Sequence, residues 1–120
     1  MRLLKVYHWS PIKNRESILK DGIKLFMDEY VYENPETGEQ EVWKAPYICT
    51  SLEPWTALIY VYPTFDERNE DIKSLDLFEV GLRVTDKVFL RNDRTTDIIE
   101  VRIENSIPAD RVTYIATREL

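Results

Sequence analysis

What the chain lacks limits the kinds of site that it can contain. Cys49 is the only cysteine among 120 residues, so the chain can form neither an intrachain disulfide nor a cysteine-rich zinc site. There are three glycines and no glycine-rich loop of the kind that cradles phosphate groups. A metal held by oxygen ligands is still compatible with this composition. The single cysteine fits a reducing compartment and predicts a cytoplasmic protein.

Long apolar runs and basic residues are also scarce. No stretch approaches the roughly 20 apolar residues of a membrane span, and the N-terminal apolar run is too short for a secretory signal. The formal net charge of −6 argues against sequence-independent binding to a phosphate backbone, which needs many basic side chains on one face. A local basic patch and a specific nucleic-acid target are not excluded. We expect no membrane contact.

The first half of the chain alternates between strand-like and helix-like patterns. With 43% hydrophobic residues the chain can bury one core, which predicts a single domain over residues 1–120. Residues 3–8 alternate as a strand does, and residues 14–21 predict a short helix. Asn14 would cap the first amides of this helix, and Gly22 would end it in a left-handed conformation.

The remaining pattern predicts a hairpin, a second helix and more strands. Residues 28–45 favour an exposed hairpin around the turn NPETGE. PYICTS reads as a short buried strand, and the segment from Pro54 to just before Pro63 as a helix that Ser51 would cap. Four further runs are typical of strands: DLFEVGLRV, KVFL, DIIEVRI and RVTYIAT.

Three features have both a structural and a functional interpretation. His8 shares a strand face with apolar residues, which is most often the mark of a satisfied core or sheet-edge histidine. Tyr47 and Tyr60 stand beside apolar neighbours and alone indicate packing. Glu100 and Arg102 share one face of a strand whose other face is apolar. A solvent-exposed sheet face with a weak Glu–Arg contact explains this pattern as well as a functional site does.

The order of these pieces resembles a known family. YHWSPIKNRESILKDGI, then APYICTS, then WTALIY, then a strand with Glu100 that leads into IENSIPADRVTYIA, is similar to the catalytic domain of the ADP-ribosyltransferase superfamily. The likeness is greatest to its poly(ADP-ribose) polymerase-like and diphtheria-toxin-like branch, and residues 7–23 are its most specific part. It implies an α+β fold: a split β-sandwich of two mainly antiparallel sheets with two short flanking helices.

The resemblance also implies NAD as co-substrate, with the adenosine ribose near the first strand. His8 would bond the hydroxyls of that ribose, and Ser10 would support the contact. Trp9 stands where the family has a glycine whose backbone meets the nicotinamide amide. The backbone groups of Trp9 survive this change, but its side chain could crowd the pocket.

The nicotinamide half would be held by residues from three other segments. Tyr47 and Tyr60 would stack on either side of the nicotinamide ring, and Thr56 would match the serine that binds its amide. Glu100 would accept a hydrogen bond from the nicotinamide-ribose hydroxyl and stabilise the positive charge that develops as the glycosidic bond breaks. We therefore expect His8, Tyr47, Tyr60 and Glu100 to line one cleft.

The resemblance leaves open both the target of the reaction and the branch of the superfamily. The hairpin would act as a lid or recognise the target, and its acidic residues favour a basic protein target over nucleic acid: Glu29, Glu33, Glu36, Glu39 and Glu41. A non-enzymatic binding module on the same fold is one alternative. An RNA 2′-phosphotransferase-like enzyme is another, and it would need several basic side chains to converge around His8, from the set Arg15, Arg83, Arg94 and Arg102. A bacterial or phage effector would suit a compact domain of this class.

Overall fold

The structure, a computed structural model, describes residues 4–25, 29–44, 46–55, 74–93 and 98–119. Within these ranges the chain forms one α-helix, α1 (Arg15–Asp21), and eight strands. The strands are β1 (Lys5–Pro11), β2 (Glu29–Glu33), β3 (Gln40–Lys44), β4 (Ile48–Ser51), β5 (Ser74–Gly81), β6 (Val88–Asp93), β7 (Ile98–Ile103) and β8 (Val112–Glu119). The described fold is mostly antiparallel sheet with one short helix, which agrees with the predicted α+β class.

Six of the strands form one antiparallel sheet in the order β6-β7-β4-β1-β5-β8. β1 pairs with β5 along its whole length, from Lys5 opposite Gly81 to Pro11 opposite Leu75. With β4, in contrast, β1 has a single register pair, Tyr7 opposite Ser51. The sheet therefore consists of a first half-sheet, β6-β7-β4, and a second half-sheet, β1-β5-β8, that meet at this pair.

The apolar core covers one face of this sheet. Val101 of β7, Phe78 of β5 and Val6 of β1 are fully buried there, and Ile18 of α1 packs in the same cluster. The rest of the cluster is Ile23, Ile48, Val80, Leu82, Ile103 and Ile107, with Leu25 and Val112 at its border. Because side chains alternate along a strand, the residues between these core positions face the other side of the sheet.

The end of α1 depends on one glycine. Gly22 has φ 85° and donates its amide to the Ile18 carbonyl, which confirms that α1 ends at this glycine with a positive φ. A β-carbon here would lie 2.0 Å from the Ile107 carbonyl oxygen. This close approach lets Ile23 and Ile107 exchange two backbone hydrogen bonds of 2.9 and 2.8 Å. The helix is thereby fastened to the segment that precedes β8.

An ion pair between the half-exposed Arg15 and the buried Asp76 joins the start of α1 to the second half-sheet. Arg15 donates to both carboxylate oxygens of Asp76 at 2.9 and 2.7 Å, and Thr117 of β8 donates to Asp76 at 2.7 Å. Burial alone would raise the pKa of Asp76, but the hydrogen bonds from Arg15 and Thr117 outweigh it and lower the pKa. The predicted side-chain cap by Asn14 is wrong, because its amide donates instead to Ser10 Oγ at 3.0 Å.

A second ion pair, which is buried, lies at the opposite end of the sheet. Arg111 donates to both carboxylate oxygens of Asp86 at 2.6 and 3.0 Å, while Asn105 and the Arg83 amide donate to the same carboxylate. These hydrogen bonds, that from Arg111 above all, hold the pKa of Asp86 at about 2 against the opposing effect of burial. The network joins the β5–β6 turn to the segment between β7 and β8.

The predicted strands and hairpin are confirmed where the structure describes them. β2 and β3 pair from Glu29 opposite Lys44 to Glu33 opposite Gln40, and Gly38 takes φ 71° in the turn between them. The predicted helix after Pro54 falls on residues that lie outside the described ranges from position 56 onward. Ser51 ends β4, and its hydroxyl donates to the Glu53 carbonyl at 2.5 Å. No helix in the described ranges is long and apolar enough to cross a membrane.

Candidate active site

Glu100 lies in the middle of β7, opposite Ser51 of the adjoining β4. Its side chain is 15% exposed and therefore mostly buried. Carboxylate oxygen Oε1 accepts two hydrogen bonds, one from Arg102 Nε at 3.0 Å and one from Cys49 Sγ at 3.1 Å. The weak exposed Glu–Arg contact expected from the sequence is thus a half-buried ion pair. Both donors reach one oxygen, so the orientation of the carboxylate is fixed while Oε2 accepts no hydrogen bond within the described ranges.

Tyr47 directly precedes β4 and contacts the same ion pair. The Arg102 guanidinium carbon lies 4.1 Å from the centre of the Tyr47 ring, a cation–π contact. Burial is the main cause that raises the pKa of Tyr47, and the negative charge of Glu100 adds to it. The phenol therefore stays protonated at neutral pH and can donate a hydrogen bond. Burial lowers the pKa of Arg102, but its hydrogen bond to Glu100 outweighs this and raises the pKa.

Arg91 completes this group from the edge strand. It lies on β6 directly opposite Glu100, so its exposed side chain is on the same sheet face as Glu100 and Arg102. Its positive charge acts to lower the pKa of Tyr47, against the larger effect of burial. We call Tyr47, Cys49, Arg91, Glu100 and Arg102 the Glu100 cluster.

His8 is 3% exposed and lies on the core face of the sheet, opposite Phe78 of β5. Its Nδ1 lies 2.8 Å from the carbonyl oxygen of Cys49. Because a carbonyl only accepts, Nδ1 carries a proton and donates it, and Nε2 is an acceptor whenever the ring is neutral. This contact binds β1 to β4 beside the one register pair that joins the two half-sheets.

His8 and Glu100, which we expect from the sequence to line one cleft, lie on opposite faces of the sheet. Tyr7, Ser51 and Glu100 form a row across the sheet through their register pairs. His8 follows Tyr7 and therefore points to the opposite face, since neighbouring side chains on a strand alternate. The two residues still meet through Cys49, whose carbonyl contacts His8 and whose thiol contacts Glu100.

The other first-strand residues have partners within the fold. Trp9 is 2% exposed, donates from Nε1 to the Pro54 carbonyl at 2.7 Å, and packs against Trp55 with ring centres 5.9 Å apart. The indole is thus part of the packing around residues 54 and 55. Ser10 is fully buried and accepts from Asn14.

Of the remaining residues predicted to contribute to a site, some lie outside the described ranges and others do not converge on His8. Thr56, Tyr60 and Arg94 lie outside the described ranges. Arg15 forms an ion pair with Asp76. Arg102 forms an ion pair with Glu100, on the sheet face opposite to His8. These two arginines therefore do not converge on His8. Among the described residues no group of three or more His, Cys, Asp or Glu side chains could hold a metal ion.

Sequence reasoning missed Cys49 and Arg91 as members of the cluster. Cys49 follows Tyr47 by two residues, so the period of a strand could have placed both on one face. Arg91 follows the predicted strand KVFL, and its place opposite Glu100 depends on strand register, for which the sequence has no local signal.

Comparison with known proteins leaves the chain without a match: no family model, no curated protein and no solved structure is similar enough to be assigned to it. Interpretation of the site therefore rests on its own chemistry and on the resemblance of short segments.

The donors and acceptors of this region can be tested against the chemistry of NAD. Within the described ranges the structure offers a carboxylate whose Oε2 accepts no hydrogen bond, the aromatic ring of Tyr47 and two guanidinium groups on one sheet face. A ribose hydroxyl, a developing cation and a diphosphate are the groups of NAD that such side chains bind. The residues present are therefore compatible with this nucleotide.

Proposed function

We propose that this protein is an ADP-ribosyltransferase-like enzyme that uses NAD, transfers ADP-ribose to a target and releases nicotinamide. Residues 7–23 and the strand with Glu100 support the proposal through their resemblance to that superfamily. The observation that carries most weight is that His8 and Glu100, from distant parts of the chain, both bond Cys49. This shared contact lies next to the pair Tyr7–Ser51, where the two half-sheets meet.

The same junction supports a finer fold assignment, the split β-sandwich of this superfamily. Two three-stranded antiparallel groups joined by one register pair are able to diverge from each other on either side of that pair. A continuous sheet would hold β1 and β4 together along their length, as β1 and β5 are held. In this proposal the nucleotide would bind at the junction of β1 and β4, with His8 and Glu100 contacting it from opposite faces of the sheet.

In the proposed reaction Glu100 is the catalytic carboxylate. NAD supplies a ribose whose bond to nicotinamide breaks with the electron pair leaving on nicotinamide, while an acceptor of the target forms the new bond and loses its proton. Oxygen Oε2 of Glu100 would meet the ribose hydroxyl and face the positive charge that develops on the sugar. Since Cys49 and Arg102 hold Oε1 in advance, the carboxylate needs no reorientation during the reaction.

The other predicted residues keep their proposed roles in NAD binding. His8 would accept a hydrogen bond from an adenosine-ribose hydroxyl through Nε2, because Nδ1 is occupied by Cys49. Ser10 and the backbone of Trp9 would support the same end of the cleft. Tyr47, whose ring contacts Arg102, would stack on nicotinamide. Thr56 and Tyr60 would complete the nicotinamide pocket.

A basic protein is the proposed target, and the cytoplasm the proposed compartment. The hairpin turn carries exposed glutamates at positions 33, 36 and 39, which would attract positive charge. A nucleic-acid target would meet repulsion from the same residues.

The experiment is incubation of the full chain with NAD, with and without cell extract as a source of acceptor. Nicotinamide release, and extract-dependent transfer of labelled ADP-ribose to a macromolecule, are the results that the proposal expects. Neither release nor transfer under any condition would overturn it. If a partner protein were then recovered by pull-down, the fold would be better interpreted as a binding module.

A further inference from the structure

We infer that Arg91 and Arg102 form a phosphate-binding subsite beside Glu100, which takes the diphosphate of a nucleotide. The inference deepens the proposed function, on which it rests only for the identity of the nucleotide as NAD. Its physical basis is the presence of two guanidinium groups on the sheet face of Glu100, one two residues along β7 and one opposite Glu100 on β6.

Arg102 is held in a fixed orientation and has hydrogen-bond donors that Glu100 does not use. Its Nε is used by Glu100 at 3.0 Å, and the Tyr47 ring lies against the guanidinium plane at 4.1 Å. Both terminal nitrogens of Arg102 donate to no acceptor within the described ranges, and the side chain is 24% exposed. A guanidinium held in this way presents two parallel N–H groups outward, which is the geometry that binds two phosphate oxygens together.

Arg91 adds a second charge from the neighbouring strand. The register pair of Arg91 with Glu100 places it one strand away from Arg102 on the same face. Its side chain is exposed, and no hydrogen bond or ion pair joins it to another side chain that the structure describes.

The balance of charge in this cluster favours an anion. Within the cluster, two guanidinium groups share a sheet face with the Glu100 carboxylate, and that carboxylate forms an ion pair with Arg102. A bound diphosphate would pair with the outer donors of both arginines. Glu100 Oε2 would remain next to the ribose that the diphosphate carries.

The inference is tested by calorimetric titration of the full chain with ADP and with adenosine. ADP carries the diphosphate, and adenosine is the same nucleoside without it. We expect Arg91→Gln to weaken ADP binding about tenfold, as expected for loss of a hydrogen bond to a charged group, and to change adenosine binding less than about twofold. Arg83→Gln is the matched control, since it removes an equal charge from an exposed residue in the β5–β6 turn.

Three results would overturn the subsite: no ADP binding by the wild type, equal ADP affinity in the wild type and Arg91→Gln, or equal losses in Arg91→Gln and Arg83→Gln. The last result would mean that only overall charge matters. A test of NAD turnover separates this inference from the proposed function. If ADP binding depends on Arg91 but the chain releases no nicotinamide, the subsite is supported and the proposed enzyme activity is overturned. If the chain turns over NAD but ADP binding does not depend on Arg91, the enzyme activity is supported and the subsite is overturned.

Discussion

His8 and Glu100 bond the same residue from opposite faces of the sheet. His8 donates to the carbonyl of Cys49 at 2.8 Å, and Glu100 accepts from the thiol of Cys49 at 3.1 Å. Cys49 lies on β4, the strand of the first half-sheet that adjoins β1. A substitution at His8 is therefore expected to change both the stability of the junction and the position of Glu100.

His8→Ala should lower stability as well as NAD affinity, because it removes a buried ring and leaves the Cys49 carbonyl without its donor. We expect a loss of about 2–3 kcal/mol in the free energy of unfolding. NAD affinity should fall several-fold to tenfold, about 1–1.5 kcal/mol, through loss of the Nε2 acceptor. Thermal unfolding and calorimetric titration with NAD measure the two effects.

Two isosteric variants separate these roles of His8. Asparagine carries an amide nitrogen at the place of Nδ1, so His8→Asn should recover part of the stability and not the NAD affinity. Glutamine carries its amide at the place of Nε2, so His8→Gln should recover NAD affinity in preference to stability. Equal NAD affinity in the wild type and His8→Asn would assign His8 to the fold alone.

Gly22→Ala should strongly destabilise the fold. The added β-carbon would lie 2.0 Å from the Ile107 carbonyl oxygen, and the residue would have to keep φ 85°. We expect a loss of at least about 2 kcal/mol, more than the cost of a positive φ alone. Gly38→Ala is the control, because Gly38 also has positive φ but its nearest neighbouring atom is 4.0 Å away. Similar melting temperatures for the two variants would contradict the close approach of α1 to Ile107.

Acid should weaken the fold through Asp86. Its pKa is about 2 in the folded state, below that of an unfolded carboxyl, so its charged form is stabilised by folding. This contribution, about 2 kcal/mol, is fully present above about pH 5 and is lost as the pH falls through the folded pKa. Denaturant unfolding between pH 6 and pH 2 should show a smaller pH dependence for Asp86→Asn than for the wild type. An unchanged slope would show that the pair with Arg111 does not stabilise the fold.

The sequence predicted the elements of the fold well wherever the pattern was local. Alternation of apolar residues located β1, β5 and β7 to within a few residues, and the turn NPETGE located the β2–β3 hairpin. Asn14 shows the limit of such reasoning, because its amide had a competing acceptor in Ser10 that only the packing of α1 on the sheet brings near. Tertiary contacts thus overrode a local capping preference.

The candidate site was predictable only in part for the same reason. Glu100 and Arg102 share a face by the period of a single strand, and their contact was considered from the sequence. The opposite facing of His8 and Glu100 depends on the register between β1, β4 and β7, which links residues far apart in sequence. Arg91 entered the cluster through register alone, and no local pattern could have included it.

Glu100→Gln, assayed by nicotinamide release from NAD, tests the central claim most directly. The variant keeps the volume of the side chain and an acceptor for Arg102, so the free energy of unfolding should fall by only about 1 kcal/mol. Glu104→Gln is the matched control, since Glu104 lies just beyond the end of β7 with its side chain exposed. We predict that Glu100→Gln lowers the rate about 100-fold or more, as loss of a preorganised charge does, while Glu104→Gln stays within about twofold of the wild type. Equal rates in the wild type and Glu100→Gln would contradict the assignment of Glu100 as the catalytic carboxylate.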